Sequence, residues 1–240
     1  MRRRWLVSGL VLALVVAVSG LAAASDALPL PAPVAGPGGH VLRIMPLGTS
    51  STVGIGSPAT AGYRGPLEEL LTRDGIAFDM VGSQRQGPPW LPDPDHEGHS
   101  GWVLPQMQPL VTGWVRAARP DVILLHVGTN DLLRGTSGAQ DAGRLAAFLD
   151  AIHAVSDAYV IIAGVWAPLP QQTGPKAEFA RLSAQLVARL RAAGRPITYV
   201  DTAHLLGPHD MVDDLHADAA GYRKIAAMWE TALRAHAPLS

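Results

Sequence analysis

The chain has no cysteine among its 240 residues. That excludes a disulfide framework, a thiolate nucleophile and a zinc–thiolate centre. It also lacks a charge excess of either sign: 19 Lys and Arg face 20 Asp and Glu, for a net charge of −1. So balanced a surface offers no electrostatic footprint for nucleic acid or for an anionic membrane. No segment repeats, and composition shifts only once, near residue 40, so a single folded domain is expected. Long apolar runs are missing too, with one exception at the start. Residues 6–18 are apolar apart from Ser8 and Gly9, follow Arg2, Arg3 and Arg4, and precede Ala22-Ala23-Ala24. The run is shorter than the ~20 residues a membrane span needs. Basic, apolar and small-residue blocks in that order read as a secretory signal peptide over residues 1–24. The expectation is a secreted, extracellular protein with no stable membrane insertion.

Cleavage after Ala24 leaves 216 residues and, with three arginines gone, a net charge of −4. That length supports one domain with a sizeable core. Residues 25–40 are rich in proline and glycine and read as a linker. The folded domain is therefore expected over residues 41–240. Within it, apolar runs alternate with helical patterns. Strands are expected at 41–47, 78–81, 121–127, 159–165 and 197–200. Helices are expected at 63–73, 104–118, 139–156, 176–193 and 219–236, with Pro105 accommodated in a first turn and Gly75 and Gly194 as stops. Residues 83–100 read as a long irregular loop. Short apolar strands separated by helices indicate an α/β fold: a three-layer α/β/α sandwich around a flavodoxin-like, five-stranded parallel sheet. Ligands of such sheets bind beyond the carboxyl ends of the strands.

Three segments place chemistry at those ends. IMPLGTSSTVG (44–54) runs from a buried strand into a turn carrying Ser50. Such a turn presents a hydroxyl beside free backbone N–H groups, although a helix-capping serine has the same look and Ser51 is a rival. VILLHVGTND (122–131) ends a strand with Asn130, whose amide can donate to an oxyanion or simply close a turn. DDLHADAAGY (213–222) sets Asp213 three residues before His216, on a loop leading into a helix. The carboxylate can reach back to Nδ1 and leave Nε2 for a serine proton. A capping Asp and a surface His fit as well, and Asp214 competes with Asp213. Gly101, in HEGHSGW (96–102), offers a backbone N–H at a helix start, with Gly82 in VGS as its competitor. A nucleophile, a base with its carboxylate and oxyanion donors are what acyl transfer requires.

In this order the segments resemble the SGNH (GDSL-like) hydrolases, over residues 44–229. The resemblance implies Ser50 as nucleophile, His216 as base and Asp213 as its partner. It implies an oxyanion hole made by the Ser50 N–H, the Gly101 N–H and the Asn130 side chain. IMPLG, VGS, HEGHSGW and LLHVGTND look most like the third carbohydrate-esterase family, secreted enzymes that deacetylate xylan. One departure stands out. The family usually has Gly-Asp-Ser at the nucleophile, and this chain has Gly48-Thr49-Ser50. That Asp braces the turn, so Thr49 implies a retuned turn at a loss of roughly 0.5–2 kcal/mol, not a missing catalytic group.

The implied reaction is hydrolysis of an acyl ester, foremost acetyl, on a small molecule or a polysaccharide such as xylan. No metal and no organic cofactor are required. Trp90, Trp102 and Trp166 are expected on loops at the strand ends, where they stack on sugar rings or serve as packing. His99 is placed with them as a substrate contact. Residues 93–99 (DPDHEGH) have metal-binding types without a metal-binding spacing, so a wall beside Ser50 is the better reading. His126 reads as a satisfied core histidine. Two other functions compete. A lipid or aryl-ester hydrolase of the same fold is disfavoured by the lack of a long apolar lid. A non-catalytic carbohydrate-binding relative is motivated only by Thr49.

Overall fold

Side chains of a strand alternate between its two faces, and here both faces are apolar. The computed structural model describes residues 40–237. The expected signal segment and nearly all of the linker lie outside them. In chain order the elements are β1 (Leu42–Gly48), α1 (Ser50–Val53), α2 (Arg64–Arg73), β2 (Phe78–Met80), β3 (Gln84–Arg85), β4 (Asp95–Gly98), α3 (Leu104–Met107), α4 (Val111–Ala118), β5 (Val122–His126), α5 (Thr129–Leu133), α6 (Gly138–His153), β6 (Tyr159–Ala163), α7 (Thr173–Ala192), β7 (Ile197–Val200) and α8 (Ala219–His236).

Strands β2, β1, β5, β6 and β7 lie side by side in that order, all parallel. This is the expected flavodoxin-like order. Ile44, Val122, Leu124 and Ile161 point to one face and pack against Leu67 and Leu71 of α2 and Ile225 and Trp229 of α8. Met45, Ile123, Leu125 and Val160 point to the other and pack with Met107, Val111, Phe148 and Val187 of α3, α4, α6 and α7. Three layers follow. The order reverses between β1 and β5, where Gly48 pairs with His126. The segments carrying Ser50 and Asn130 therefore leave the sheet as neighbours.

Two expectations need correction. Residues 83–100 are not irregular throughout. The short β2 pairs only with the first half of β1, from Leu42 to Ile44. The second half would present unpaired backbone groups, which a buried strand does not tolerate. Strand β4 fills the gap, pairing parallel at Leu47–Glu97 and Gly48–Gly98, and β3 adds antiparallel to β4. Among the described residues the sheet thus has seven strands. The expected helix over 104–118 is two helices, α3 and α4. Pro109 has no N–H and its ring clashes with the preceding turn, so the helix breaks there. Among the described residues, no helix is long and apolar enough to cross a membrane.

Candidate active site

At the end of β1 the chain turns through Thr49 into α1, whose first residue is Ser50. The first N–H groups of a helix have no intrahelical acceptor, so the Ser50 N–H is free at the sheet edge. The Thr49 carbonyl accepts from the N–H groups of Thr52 (3.0 Å) and Val53 (3.1 Å). Its side chain makes no capping bond. The turn is gripped from its other end instead. Arg64 is fully buried and donates from Nε to Thr52 O (2.9 Å) and from Nη2 to Val53 O (3.3 Å). The same guanidinium reaches Gln86 O (2.6 Å) and Pro94 O (3.0 Å). It ties the Ser50 turn to the segment around β3 and β4.

His216 comes back to Ser50 from the loop after β7. Its Nε2 lies 3.0 Å from Ser50 Oγ. Its Nδ1 lies 2.9 Å from Asp213 Oδ2 and 3.1 Å from Oδ1. The Asp213 Oδ1 also accepts the backbone N–H groups of Leu215 (2.8 Å) and His216 (2.7 Å). Partial burial pushes the Asp213 pKa up, but the imidazole and the two N–H donors outweigh it, and the net shift is downward. The carboxylate is therefore charged where it meets the ring. Asp213, not Asp214, is the partner. The rival Ser51 is buried, and it is the Ser50 hydroxyl that His216 Nε2 meets.

Across the cleft, the Trp102 N–H donates to His99 O (3.2 Å) and closes a four-residue turn. Gly101 is its third residue, with φ +78°, a value that favours glycine in a type II turn. Gly82 is a glycine for another reason: a Cβ there would sit 2.1 Å from His96 O. It lets β4 pack close and is no donor to the cleft. Asn130 is the second residue of α5, and its Nδ2 donates to Trp102 O at 2.8 Å. An amide has two hydrogens, so one is left for a ligand. Behind it the buried Asp131 accepts from Leu104 N (3.1 Å) and Arg144 Nη1 (3.0 Å), joining α5 to α3.

Ser50, His216, Gly101 and Asn130 converge on one cleft of about 200 Å³, which Thr49, Ser51, Ser100, Thr129 and Leu215 complete. The expected substrate contacts are not in its lining. Trp90 is half exposed, with Nε1 on Ala59 O at 3.1 Å. Trp102 is half-buried beside Gly101. Trp166 is 3% exposed and lies face to face with His126, ring centroids 3.4 Å apart. It is core packing and cannot be a sugar platform. His99 is largely enclosed, stacked against Trp102 and Trp114, and lies outside the cleft lining. His126 is buried as expected, but neither ring nitrogen has a partner. Burial, with the charge of Lys176, pushes its pKa down to about 3 and keeps it neutral.

The carboxylates of residues 93–99 face protein partners. Asp93 accepts from Met80 N (2.7 Å), Asp95 pairs with Arg85 (2.6 Å), and Glu97 accepts from Ser83 N and Oγ (both 2.7 Å). Among the described residues, no group of three or more His, Asp or Glu is arranged to hold a metal ion. Sequence reasoning missed Arg64 and the Ser83–Glu97–His99 set. Glu97 and His99 carried a readable signal, because residues two apart in an extended segment share a face.

Comparison with known proteins places this geometry in a family. Residues 47–224 match the GDSL-like lipase/acylhydrolase family. A family 3 carbohydrate esterase of Clostridium thermocellum superposes with a TM-score of 0.74 at 33% identity, covering 82% of this chain and 100% of that one. A carbohydrate esterase family 3 structure from Talaromyces cellulolyticus gives a TM-score of 0.71 at 25% identity, covering 81% and 97%. A multidomain esterase of Ruminococcus flavefaciens is 25% identical over 78% of this chain, which spans only 28% of that protein's length. The chain belongs to the GDSL-like lipase/acylhydrolase family and is a hydrolase of the esterase type.

Proposed function

We propose that the protein is a secreted serine esterase that removes acetyl groups from a polysaccharide such as xylan. One observation carries the reading: an unbroken hydrogen-bonded chain from Asp213 through His216 to Ser50, at a cleft that Gly101 and Asn130 share. His216 Nε2 takes the proton of Ser50 Oγ as the oxygen attacks the acyl carbon. The negative charge moves to the carbonyl oxygen, which meets the Ser50 N–H, the Gly101 N–H and the free hydrogen of the Asn130 amide. The tetrahedral centre collapses, the ester C–O bond breaks, and the imidazolium returns the proton to the leaving alcohol. Water then attacks the acyl-enzyme with His216 again as base, releasing acetate and free Ser50. Asp213 holds the imidazole in the tautomer that leaves Nε2 unprotonated.

Acyl size follows from the cleft. At about 200 Å³, with serines, two threonines and an asparagine in its wall and Leu215 as its aliphatic side chain, it suits a short acyl group. The polysaccharide assignment draws on the two carbohydrate esterase structures. The test is acetate release from acetylated xylan beside hydrolysis of acetyl and long-chain chromogenic esters. The expected result is turnover of both acetyl substrates and a steep fall with chain length. Preference for long chains would transfer the site to lipid esters.

A further inference from the structure

We infer that His99 is a positioning residue: held by Glu97 and stacked against two tryptophans, it fixes the turn that aims the Gly101 N–H into the cleft. The inference rests on Gly101 being an oxyanion donor. The turn closes through one bond between its ends, Trp102 N to His99 O. Its central peptide, Ser100–Gly101, carries the N–H that matters. Turns of types I and II differ by a flip of that peptide. Glycine tolerates both arrangements, and nothing lies within 4 Å of where a Gly101 Cβ would be. The tip therefore has little packing of its own, and its orientation is set from its two ends.

Those ends are clamped by side chains. The His99 ring stacks on Trp102, the last residue of the turn, with centroids 4.5 Å apart and planes 25° apart. Trp114 of α4 also stacks on it, at 4.6 Å and 14°, and the two indoles are themselves 6.4 Å apart. His99 Nε2 lies 2.7 Å from Glu97 Oε1. That carboxylate is wholly buried and is held by Ser83 N and Oγ. Asn130 on Trp102 O and Arg134 on Gly101 O (3.0 Å) pin the same turn from α5. A phenylalanine would stack as well. It would not explain a carboxylate kept out of water, which is costly unless its bonds are complete. The Glu97 bond fixes the in-plane orientation of the imidazole, and through the stack the position of Trp102. The Ser83 of VGS and the Glu97 and His99 of HEGH thus form one device.

The test separates positioning from folding. His99→Phe keeps the stack but strands a buried carboxylate, so both stability and turnover should fall. Glu97→Gln/His99→Phe removes that charge while its amide satisfies Ser83, so stability should recover. On a short acetyl ester, kcat of the double variant should stay about 10–100-fold below wild type with KM within about 3-fold. Affinity for a tetrahedral boronic acid should fall in parallel, and affinity for acetate should hold. The NMR order parameter of the Gly101 amide should fall from about 0.85 to below about 0.6. Recovery of kcat together with stability, or an unchanged Gly101 amide, would overturn the inference. Ser50→Ala run alongside keeps the two readings apart. If turnover survives it, the functional reading fails, and the Gly101 amide alone decides the clamp.

Discussion

Arg64 Nε donates to the carbonyl of Thr52 at 2.9 Å, from a fully buried guanidinium to the helix that begins with Ser50. Four backbone carbonyls converge on this one side chain, two from α1 and two from the segment around β3 and β4. An apolar replacement leaves those carbonyls buried without donors, at about 1–3 kcal/mol for each that finds no water. Arg64→Met should therefore destabilise the fold by about 3–5 kcal/mol in urea denaturation. Arg64→Lys keeps the charge without the fork and should fall between. A change under about 1 kcal/mol for Arg64→Met would mean that water replaces the guanidinium.

Glu68, one turn further along α2, gives a pH signature. It is buried, and burial pushes its carboxyl up to about 8, against the Asp93 N–H and the charge of Arg64. In the unfolded chain it ionises near pH 4.3. Between those values the folded chain holds a proton that the unfolded chain has lost, so this group's contribution to stability declines as pH rises. Glu68→Gln should remove that slope, with its advantage over wild type growing from about pH 5 to about pH 8. Denaturation curves at both ends of the window check it, and parallel slopes would refute the buried neutral carboxyl.

Thr49 stands where the family usually has aspartate, and its hydroxyl makes no capping bond. Its carbonyl does the bracing. Thr49→Ala should then leave ester turnover within about 3-fold and cost about 1 kcal/mol of stability, the value of a buried methyl. A loss of turnover as large as that from a missing catalytic group would show that the hydroxyl acts in the turn.

Asn130 has two tasks, one amide hydrogen on Trp102 O and one facing the cleft. Asn130→Ala should lower kcat by about 10²–10³ with a smaller change in KM, as expected for a donor used most in the transition state. An effect on KM alone would make it a ground-state contact.

The layered fold was legible because burial on both faces writes continuous apolar runs such as VILLH, and helices between them force parallel strands. The Ser50, Asn130 and Asp213–His216 segments were legible for a related reason: strand ends are where such a sheet exposes chemistry. Strand β4 was not. Its DHEG sequence has no strand signature, and it forms because β2 stops short along β1, a long-range vacancy with no local mark. The break between α3 and α4 did have a local mark, Pro109 inside the expected helix. Trp166 and His126 misled for the same reason as each other: residue type suggested exposure or hydrogen bonding, and their packing is set between elements, Trp166 lying face to face with His126 of β5 and edge-on to Trp229 of α8.

The most direct measurement is hydrolysis of a short-chain acetyl ester by the wild-type chain and by Ser50→Ala. The expected result is turnover in the first and a loss of about 10⁶-fold in the second, with the fold intact by circular dichroism. Turnover that survives the substitution would show that the chain from Asp213 through His216 to Ser50 does not carry the reaction.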